Sequence, residues 1–140
     1  MKRKASAIWS GNLKDGKGTL TTESGVLSST PYSFRTRFES EKGTNPEELI
    51  GAAHAGCFTM ALSMILGMAG MTAEKLETEA TITLEQKDGG FAVTASHLDV
   101  KATIPGADAA EFEQAAQTAK ANCPISKLLN ATITMDAKLL

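Results

Sequence analysis

The sequence predicts an α+β fold in which an antiparallel sheet of about six strands packs on two main helices. Three observations indicate this fold. Segments with strand character occur near both ends and in the middle of the chain, two longer segments carry helix signals, and strands do not alternate singly with helices as in a doubly wound fold. With 140 residues, the chain has the length of a single domain spanning 1–140.

The N-terminal part is predicted to contain three strands. Residues 3–10 and 17–23 have modest strand character and flank the turn-rich segment GNLKDGKG. The third segment, YSFRTRFES at 32–40, alternates with a period of two residues and places Arg37 on its polar face. Its opposite face carries Tyr32, Phe34, Thr36 and Phe38.

A long helix is predicted after the loop EKGT. Asn45 suits the N-cap, Pro46 the first helical position and Glu48 the third, where its side chain closes the cap. The run from Leu49 to Met71 lacks Asp, Glu, Lys and Arg, so it meets a bare length rule for a membrane span. Its many glycines and alanines and one histidine disfavour insertion, so the run is interpreted as a core helix of a soluble protein.

Two more strands are predicted to form a hairpin. Residues 76–87 and 91–104 flank Asp88-Gly89-Gly90, a turn sequence. The apolar phase slips between Ala95 and Leu98, which indicates a bulge or bend in the second strand.

The C-terminal segment is predicted to hold a second main helix, a short helix and a last strand. Asp108 and Glu111 have capping-box spacing and start a helix that runs to about Ala121. Pro124 breaks that helix and starts a short one, and residues 131–139 alternate as a strand.

Composition excludes several classes of protein. The net charge of −2 does not fit a nucleic-acid-binding protein, which needs a basic surplus. The basic start MKRK is not followed by the apolar core of a secretory signal, so we expect a cytoplasmic, reducing compartment. In that compartment, two cysteines indicate chemistry rather than a structural disulfide. The two cysteines and two histidines match no zinc-site spacing, so no metal is expected.

The long helix carries a carboxylate, an imidazole and a thiol on one stripe. At about 100° per residue, Ile50, His54 and Cys57 fall within about 80° of Glu47, whereas Glu48 lies about 100° away on the other side. Glu47 and Cys57 are about 15 Å apart along the axis, too far for direct contact. An arginine suits the gap, because its forked guanidinium holds a carboxylate while facing a thiolate.

The residues alone leave the roles of both cysteines open. Cys57 fits an inert buried thiol as well as a reactive one. His54, three residues earlier, fits a polar structural histidine as well as the base of a cysteine hydrolase. Cys123 precedes Pro124 and is predicted to be an N-cap, where the helix dipole favours a thiolate.

Four long motifs run nearly from end to end of the chain. They are GTLTTESGVL at 18–27, PYSFRTRFESEKGTNPEELIGAAHAGCF at 31–58, PGADAAEF at 105–112 and AKANCPIS at 119–126. With these motifs the chain resembles the OsmC/organic hydroperoxide resistance (Ohr) family of thiol peroxidases, and within it the OsmC branch. The resemblance implies an OsmC-like fold: an intertwined homodimer with sheets wrapped around central helices and active sites at the subunit interface.

The resemblance also implies roles for four residues. Cys57 matches the peroxidatic cysteine, Cys123 the resolving cysteine, Arg37 the activating arginine and Glu47 the glutamate that holds it. The chain is then expected to reduce organic hydroperoxides, and hydrogen peroxide, through a Cys57 sulfenic acid and a disulfide with Cys123. The side chains expected to line the substrate pocket are Ile50, His54, Phe58 and Met60.

No bound cofactor is expected, but an external dithiol has to reset the enzyme, and the family suggests dihydrolipoamide on a lipoylated protein. A role in defence against oxidative or osmotic stress follows from the same resemblance. No nucleic-acid or membrane partner is expected.

Two functions of other classes stay open. A cysteine hydrolase using Cys57 and His54 would form an acyl-enzyme and have no need of Cys123. A non-catalytic dimer that binds a small molecule would carry two inert thiols.

Overall fold

A computed structural model describes residues 1–140 and has the predicted α+β architecture with six strands. In chain order the elements are β1 (Ala5–Ser10), β2 (Lys17–Thr22), β3 (Thr30–Tyr32), α1 (Phe34–Phe38), α2 (Pro46–Met68), β4 (Lys75–Lys87), β5 (Gly90–Thr103), α3 (Ala109–Asn122), α4 (Pro124–Leu128) and β6 (Thr132–Leu139). The strands form two three-stranded sheets, β1-β2-β3 and β4-β5-β6. Only β5 and β6 pair in parallel, because helices α3 and α4 supply the crossover that parallel strands require.

The chain divides into two compact units, Met1–Leu49 and Ile50–Leu140. Helix α2 begins in the first unit and continues through the second. The expectation of one domain spanning 1–140 stays a prediction.

The unit Met1–Leu49 is built on the sheet β1-β2-β3. The two N-terminal strands predicted from the sequence are confirmed as β1 and β2, which pair antiparallel. The rings of Trp9 and Tyr32 lie with centroids 5.4 Å apart and cover Gly18 on β2. A Cβ at Gly18 would clash with both rings, so only glycine fits there.

The third predicted strand is wrong over most of its length. Strand β3 includes only the first residue of that segment, and the residues after it form helix α1. A capping box starts α1: the Ser33 Oγ accepts from the Thr36 N–H at 3.2 Å, and the Thr36 Oγ1 accepts from the Ser33 N–H at 2.9 Å. Phe34 and Phe38 are four residues apart, so a helix brings their ring centroids to 4.9 Å. The alternation of apolar and polar residues at 32–40 therefore fits a helix as well as a strand, and the capping box at Ser33 favours the helix.

Helix α2 begins where the sequence predicts. The Asn45 Oδ1 accepts from the Glu48 N–H at 2.8 Å, which makes Asn45 the N-cap and Pro46 the first helical residue. The Glu48 carboxylate accepts instead from the Thr44 Oγ1 at 3.0 Å, so it supports the helix start through the preceding loop.

By length and composition alone, α2 is apolar enough to cross a membrane, and 28% of its most apolar window is buried. One face packs into the core of the unit Ile50–Leu140 through Phe58, Leu62 and Leu66, at most 1% exposed. Gly51 lies against β4, and a Cβ there would come 3.1 Å from the Ala80 oxygen. The opposite face leaves Met60 76% exposed.

The core of the unit Ile50–Leu140 lies between α2, the sheet β4-β5-β6 and α3. Strand β5 is central in the sheet, and α3, which contacts β6, contributes a row of small residues to the same core. Besides the α2 side chains, the core contains Leu98, Val100, Ala102, Ile104, Phe112, Ala115, Ala116, Ala119 and Cys123.

The predicted hairpin is confirmed as β4 and β5. Both residues of its turn have positive φ, 51° at Asp88 and 81° at Gly89, as a type I′ turn requires. The ladder shifts register where Thr83 pairs with Ala95 and the next residue pairs with Val93, which leaves Thr94 as the extra residue. The bulge thus begins one residue before the predicted interval.

The helices after β5 also follow the prediction. The Asp108 Oδ1 accepts from the N–H groups of Ala110 and Glu111, at 2.9 and 3.0 Å, and so caps α3. Helix α3 ends at Asn122, and Pro124 is the first residue of α4.

Candidate active site

The two cysteines lie side by side although 66 positions separate them in the chain. Cys57 is half-buried on α2, Cys123 is fully buried between α3 and α4, and both are free thiols. Their Sγ atoms are 2.8 Å apart and share a hydrogen bond. The sulfurs need to approach by less than about 1 Å to reach the length of a disulfide, about 2.05 Å.

The surroundings of Cys57 disfavour its thiolate. Burial raises the pKa of the Cys57 thiol above its ordinary value, and the hydrogen bond with Cys123 raises that pKa further. A hydrogen bond from the Ile125 backbone N–H lowers the pKa in part. A cation is therefore needed beside Cys57 if it is to react as a thiolate at neutral pH.

Cys123 occupies the predicted N-cap position of α4, but its side chain does not cap the helix. Its Sγ is directed at Cys57 instead, while its backbone N–H donates to the Ala119 oxygen at 2.9 Å as the end of α3. From helix α4, the backbone N–H of Ile125 donates a hydrogen bond to the sulfur of Cys57. The start of this short helix thus stabilises the charge of Cys57.

Arg37 and Glu47 form a bidentate ion pair within the unit Met1–Leu49. The Arg37 Nη2 donates to the Glu47 Oε1 at 2.7 Å, and the Nε donates to both carboxylate oxygens at 3.1 and 3.2 Å. The guanidinium carbon also lies 5.2 Å from the centroid of the Phe38 ring. The Arg37 side chain stays 36% exposed, so one edge of the fork is free to meet another group. Its approach to Cys57 stays a prediction.

The four residues expected to line a substrate pocket have different surroundings. His54 and Phe58 are completely buried, Ile50 is half-buried and Met60 is largely exposed. They do not share one exposed surface of the chain, and their role as a pocket stays a prediction.

His54 has two hydrogen-bond partners that the sequence did not reveal. Its Nδ1 lies 2.7 Å from the Ser96 Oγ on β5, and its Nε2 lies 2.8 Å from the Ser126 Oγ on α4. Burial lowers the pKa of His54, which keeps the imidazole neutral. Because both nitrogens are occupied by serines and the sulfur partner of Cys57 is Cys123, the geometry does not support His54 as the base of a cysteine hydrolase.

The second histidine lies in a separate, exposed group. The His97 Nε2 is 3.6 Å from the Asp99 Oδ1 and 3.4 Å from the Asp136 Oδ2, and the Thr134 Oγ1 is 2.6 Å from its Nδ1. The ligand atoms of His97, Asp99 and Asp136 lie close enough together to hold a cation. The parallel pairing of β5 with β6, which sequence reasoning did not predict, brings them together.

An apolar groove borders Arg37 within the unit Met1–Leu49. Its volume is about 290 Å³, and its lining residues are Trp9, Leu13, Tyr32, Ser33, Phe34, Arg37, Phe38 and Pro46. Helix α1 forms one side of this groove, because its helical turn places Phe34 and Phe38 on the same lining as Arg37.

Comparison with known proteins identifies the relatives of this chain. Residues 39–138 match the family model of OsmC-like proteins. The chain is 55% identical to Peroxiredoxin OsmC of Escherichia coli over 137 residues, which cover 98% of this chain and 96% of that protein.

Solved structures have the same fold. The OsmC-like protein of Mycoplasma pneumoniae superposes with a TM-score of 0.77 at 16% identity, covering 100% of this chain and 98% of that chain. The organic hydroperoxide resistance protein OhrB of Bacillus subtilis superposes with a TM-score of 0.71 at 24% identity, covering 96% and 98%. With its matched domain and its near full-length relative, the chain belongs to the family of OsmC-like proteins.

Proposed function

We propose that this protein is a thiol-dependent peroxidase that reduces organic hydroperoxides to alcohols, and hydrogen peroxide to water. The observation that carries the proposal is the pair of free thiols 2.8 Å apart, one half-buried and one fully buried. The pair occurs in a chain 55% identical to a protein named a peroxiredoxin. A thiol-dependent peroxidase benefits from a second thiol next to the reactive one, because the sulfenic acid formed first can then condense with it to a disulfide.

The first step is attack of the Cys57 thiolate on a peroxide oxygen. The O–O bond breaks, the alkoxide leaves and takes up a proton as alcohol, and Cys57 becomes a sulfenic acid. Because burial and Cys123 raise the pKa of Cys57, this step needs a positive group. Arg37 is the residue proposed for it, with one edge of its guanidinium held by Glu47 and the other directed at the peroxide.

The second step is condensation of the Cys123 thiol with the Cys57 sulfenic acid. The new S–S bond forms, and the sulfenic oxygen leaves as water with the thiol proton. The Cys123 sulfur is oxidised and the Cys57 sulfur reduced to the disulfide level, so Cys57 does not proceed to sulfinic acid. An external dithiol then reduces the disulfide by exchange. Dihydrolipoamide on a lipoylated protein is the proposed reductant, and no bound cofactor takes part.

The preference for organic hydroperoxides is supported by the apolar groove beside Arg37. Four of its eight lining residues are aromatic: Trp9, Tyr32, Phe34 and Phe38. An alkyl or aryl substituent fits there while its peroxide group meets the guanidinium. Hydrogen peroxide lacks this substituent and is expected to be the poorer substrate.

The active form is proposed to be an intertwined homodimer with the sites at its interface. Met60, Met64 and Met68 lie one turn apart on α2, are 62% to 82% exposed, and form an apolar stripe with the exposed Gly56 and Gly67. Small residues among flexible methionines let a second helix approach closely. If this stripe is the interface, Met64→Lys shifts the sedimenting species from dimer to monomer, whereas Glu113→Lys on the exposed side of α3 leaves it dimeric.

The proposed location is the cytoplasm, where peroxides from oxidative or osmotic stress meet a supply of dithiols. The face of α2 that carries Phe58, Leu62 and Leu66 belongs to the core. Burial of that face is why we assign the helix to the folded protein rather than to a membrane.

One experiment separates the peroxidase from both rival functions. Reduced protein is mixed with one equivalent of cumene hydroperoxide, free thiols are counted over time, and the linked peptides are mapped. The peroxidase loses both thiols within seconds and yields a Cys57–Cys123 linkage. A hydrolase or a binding protein keeps both thiols, and that result would overturn the proposal.

A further inference from the structure

The buried imidazole of His54 has no part in the chemistry proposed above. It is 0% exposed, and each ring nitrogen is hydrogen-bonded to a buried serine hydroxyl, at 2.7 and 2.8 Å. A neutral imidazole donates through one nitrogen and accepts through the other, and a serine hydroxyl does either, so both bonds form in either tautomer. Burial of a fully satisfied polar group of this kind ties together the segments that supply its partners.

Those segments are the ones that carry the two thiols. His54 precedes Cys57 by three residues, one turn earlier on α2. Ser126 follows Cys123 by three residues, on the first turn of α4. The bond between His54 and Ser126 therefore runs beside the contact between the two sulfurs, and both join the same helices.

Helix α4 depends on this bond more than a longer helix would. It has five residues and no side-chain cap, whereas isolated helices shorter than about 12 residues are marginal in water. Ser126 is its one buried residue, and Leu128 at its end is 75% exposed. The same helix supplies the Ile125 N–H that bonds to Cys57.

We propose that His54 is a positioning residue for disulfide formation: by holding Ser126, it fixes the start of α4 and keeps Cys123 in reach of the Cys57 sulfenic acid. The inference rests on the proposed two-cysteine peroxidase. His54 transfers no proton in this role. The step it serves is the condensation of the Cys123 thiol with the Cys57 sulfenic acid, which forms the S–S bond and releases water. If the thiol is held less firmly, a second peroxide oxidises the sulfenic acid to sulfinic acid first.

The two serines provide a matched pair of variants. Ser126→Ala and Ser96→Ala each remove one buried hydroxyl from the same imidazole, but only Ser126 lies on the helix that follows Cys123. Each reduced variant is mixed with cumene hydroperoxide at increasing dose, and disulfide and Cys57 sulfinic acid are quantified by mass spectrometry. Rapid quenching gives the rate of disulfide formation.

Ser126→Ala is expected to slow disulfide formation on the order of 10- to 100-fold and to raise the yield of sulfinic acid accordingly. Ser96→Ala is expected to stay within about twofold of the wild type, because β5 holds its place through its ladder to both neighbours. Ser126→Thr, which restores a hydroxyl, is expected to recover most of the rate. A general loss of stability would not distinguish the two serines or respond to that restoration.

Equal slowing by the two alanine variants would overturn the positioning role, as would a wild-type rate in Ser126→Ala. Thermal unfolding monitored by circular dichroism shows whether each variant is folded at the assay temperature. If Ser126→Ala is not folded there, the decision falls to Ser126→Thr, which keeps the hydroxyl, and His54→Asn, which removes the imidazole. The first should keep most of the wild-type rate and the second should slow disulfide formation; equal rates overturn the role. Failure of the peroxidase proposal is distinct, because then the wild type itself forms no disulfide.

Discussion

The thiol pair Cys57 and Cys123 and the ion pair Arg37 and Glu47 differ in whether their surroundings favour the neutral or the charged state. Cys57 and Cys123 lie against the core of the unit Ile50–Leu140, where burial raises the pKa of Cys57. Arg37 and Glu47 form a forked pair that stays partly exposed in the unit Met1–Leu49. The thiol pair is arranged to end as a neutral disulfide, whereas the ion pair holds the positive charge of Arg37 against the carboxylate of Glu47. Separating these tasks lets the thiols lie close together against the core, while the two charged groups are held by each other.

Removing the reactive sulfur is expected to have the largest effect. Cys57→Ser leaves an oxygen with a far higher pKa in the same pocket, so peroxide consumption in the presence of a dithiol should fall by on the order of 10³-fold or more. The measurement is the loss of cumene hydroperoxide with dihydrolipoamide as reductant. Turnover that survives this change would place the nucleophile elsewhere.

Removing the second sulfur should separate the two steps. Cys123→Ser is expected to consume one peroxide per site at close to the wild-type rate, because Cys57 remains, and then to stall or proceed to sulfinic acid. Stoichiometric titration followed by mass spectrometry of the peptide carrying Cys57 measures both outcomes. Normal cycling with the dithiol would mean that Cys123 does not resolve the sulfenic acid.

The ion pair is tested by removing its cation. Arg37→Ala should lower kcat/KM for cumene hydroperoxide by about 10²- to 10³-fold, as expected when a donor to a developing oxyanion is lost. It should also raise the pKa of Cys57, seen as a shift to higher pH in the rate of alkylation by iodoacetamide. Arg35→Ala is the matched control, because Arg35 lies on the same short helix without a partner in Glu47.

Two results would count against this role for Arg37. An unchanged alkylation profile would remove the electrostatic argument, and an equal loss in Arg35→Ala would point to a defect in α1.

Glu47→Gln should have a smaller effect than Arg37→Ala. We expect kcat/KM for cumene hydroperoxide to fall about tenfold, because the substitution loosens the guanidinium but keeps its charge.

The sequence predicted much of this arrangement, and its failures have physical causes. Helical geometry separated Glu47 from Glu48, and the structure pairs Glu47 with Arg37 and Glu48 with Thr44. These contacts are local in sequence, at most ten residues apart. Local patterns also placed the caps at Asn45 and Asp108. In the strand predicted at 32–40, by contrast, the alternation of apolar and polar residues fits a helix as well as a strand, and only the capping box at Ser33 decides.

Contacts between distant residues could not be read from the patterns. The partners of His54 lie 42 and 72 positions away, and a serine carries no signal that marks it as the partner of a buried imidazole. The pairing of Cys57 with Cys123 came from the family resemblance rather than from spacing. The group around His97 depends on the parallel register of β5 and β6, which follows from the crossover and not from either strand.

The smallest expected effect concerns His54 and the pH dependence of stability. Burial lowers the pKa of folded His54 from its ordinary value of 6.5, so below that pH the unfolded chain binds a proton that the folded protein does not. The contribution of His54 to the free energy of unfolding is therefore fully present above pH 6.5 and lost as pH falls toward the lower folded-state pKa. The slope reaches at most about 1.4 kcal/mol per pH unit for one proton.

Urea unfolding of the reduced protein between neutral and mildly acidic pH measures this contribution. His54→Asn should lower stability at neutral pH but flatten the slope below pH 6.5, because the titrating group is gone. His97→Asn should keep the wild-type slope from His54, because it alters only the exposed group on β5. A wild-type slope in His54→Asn would mean that burial does not lower the pKa of His54, and the contrast between a buried neutral imidazole and the charged ion pair would fail.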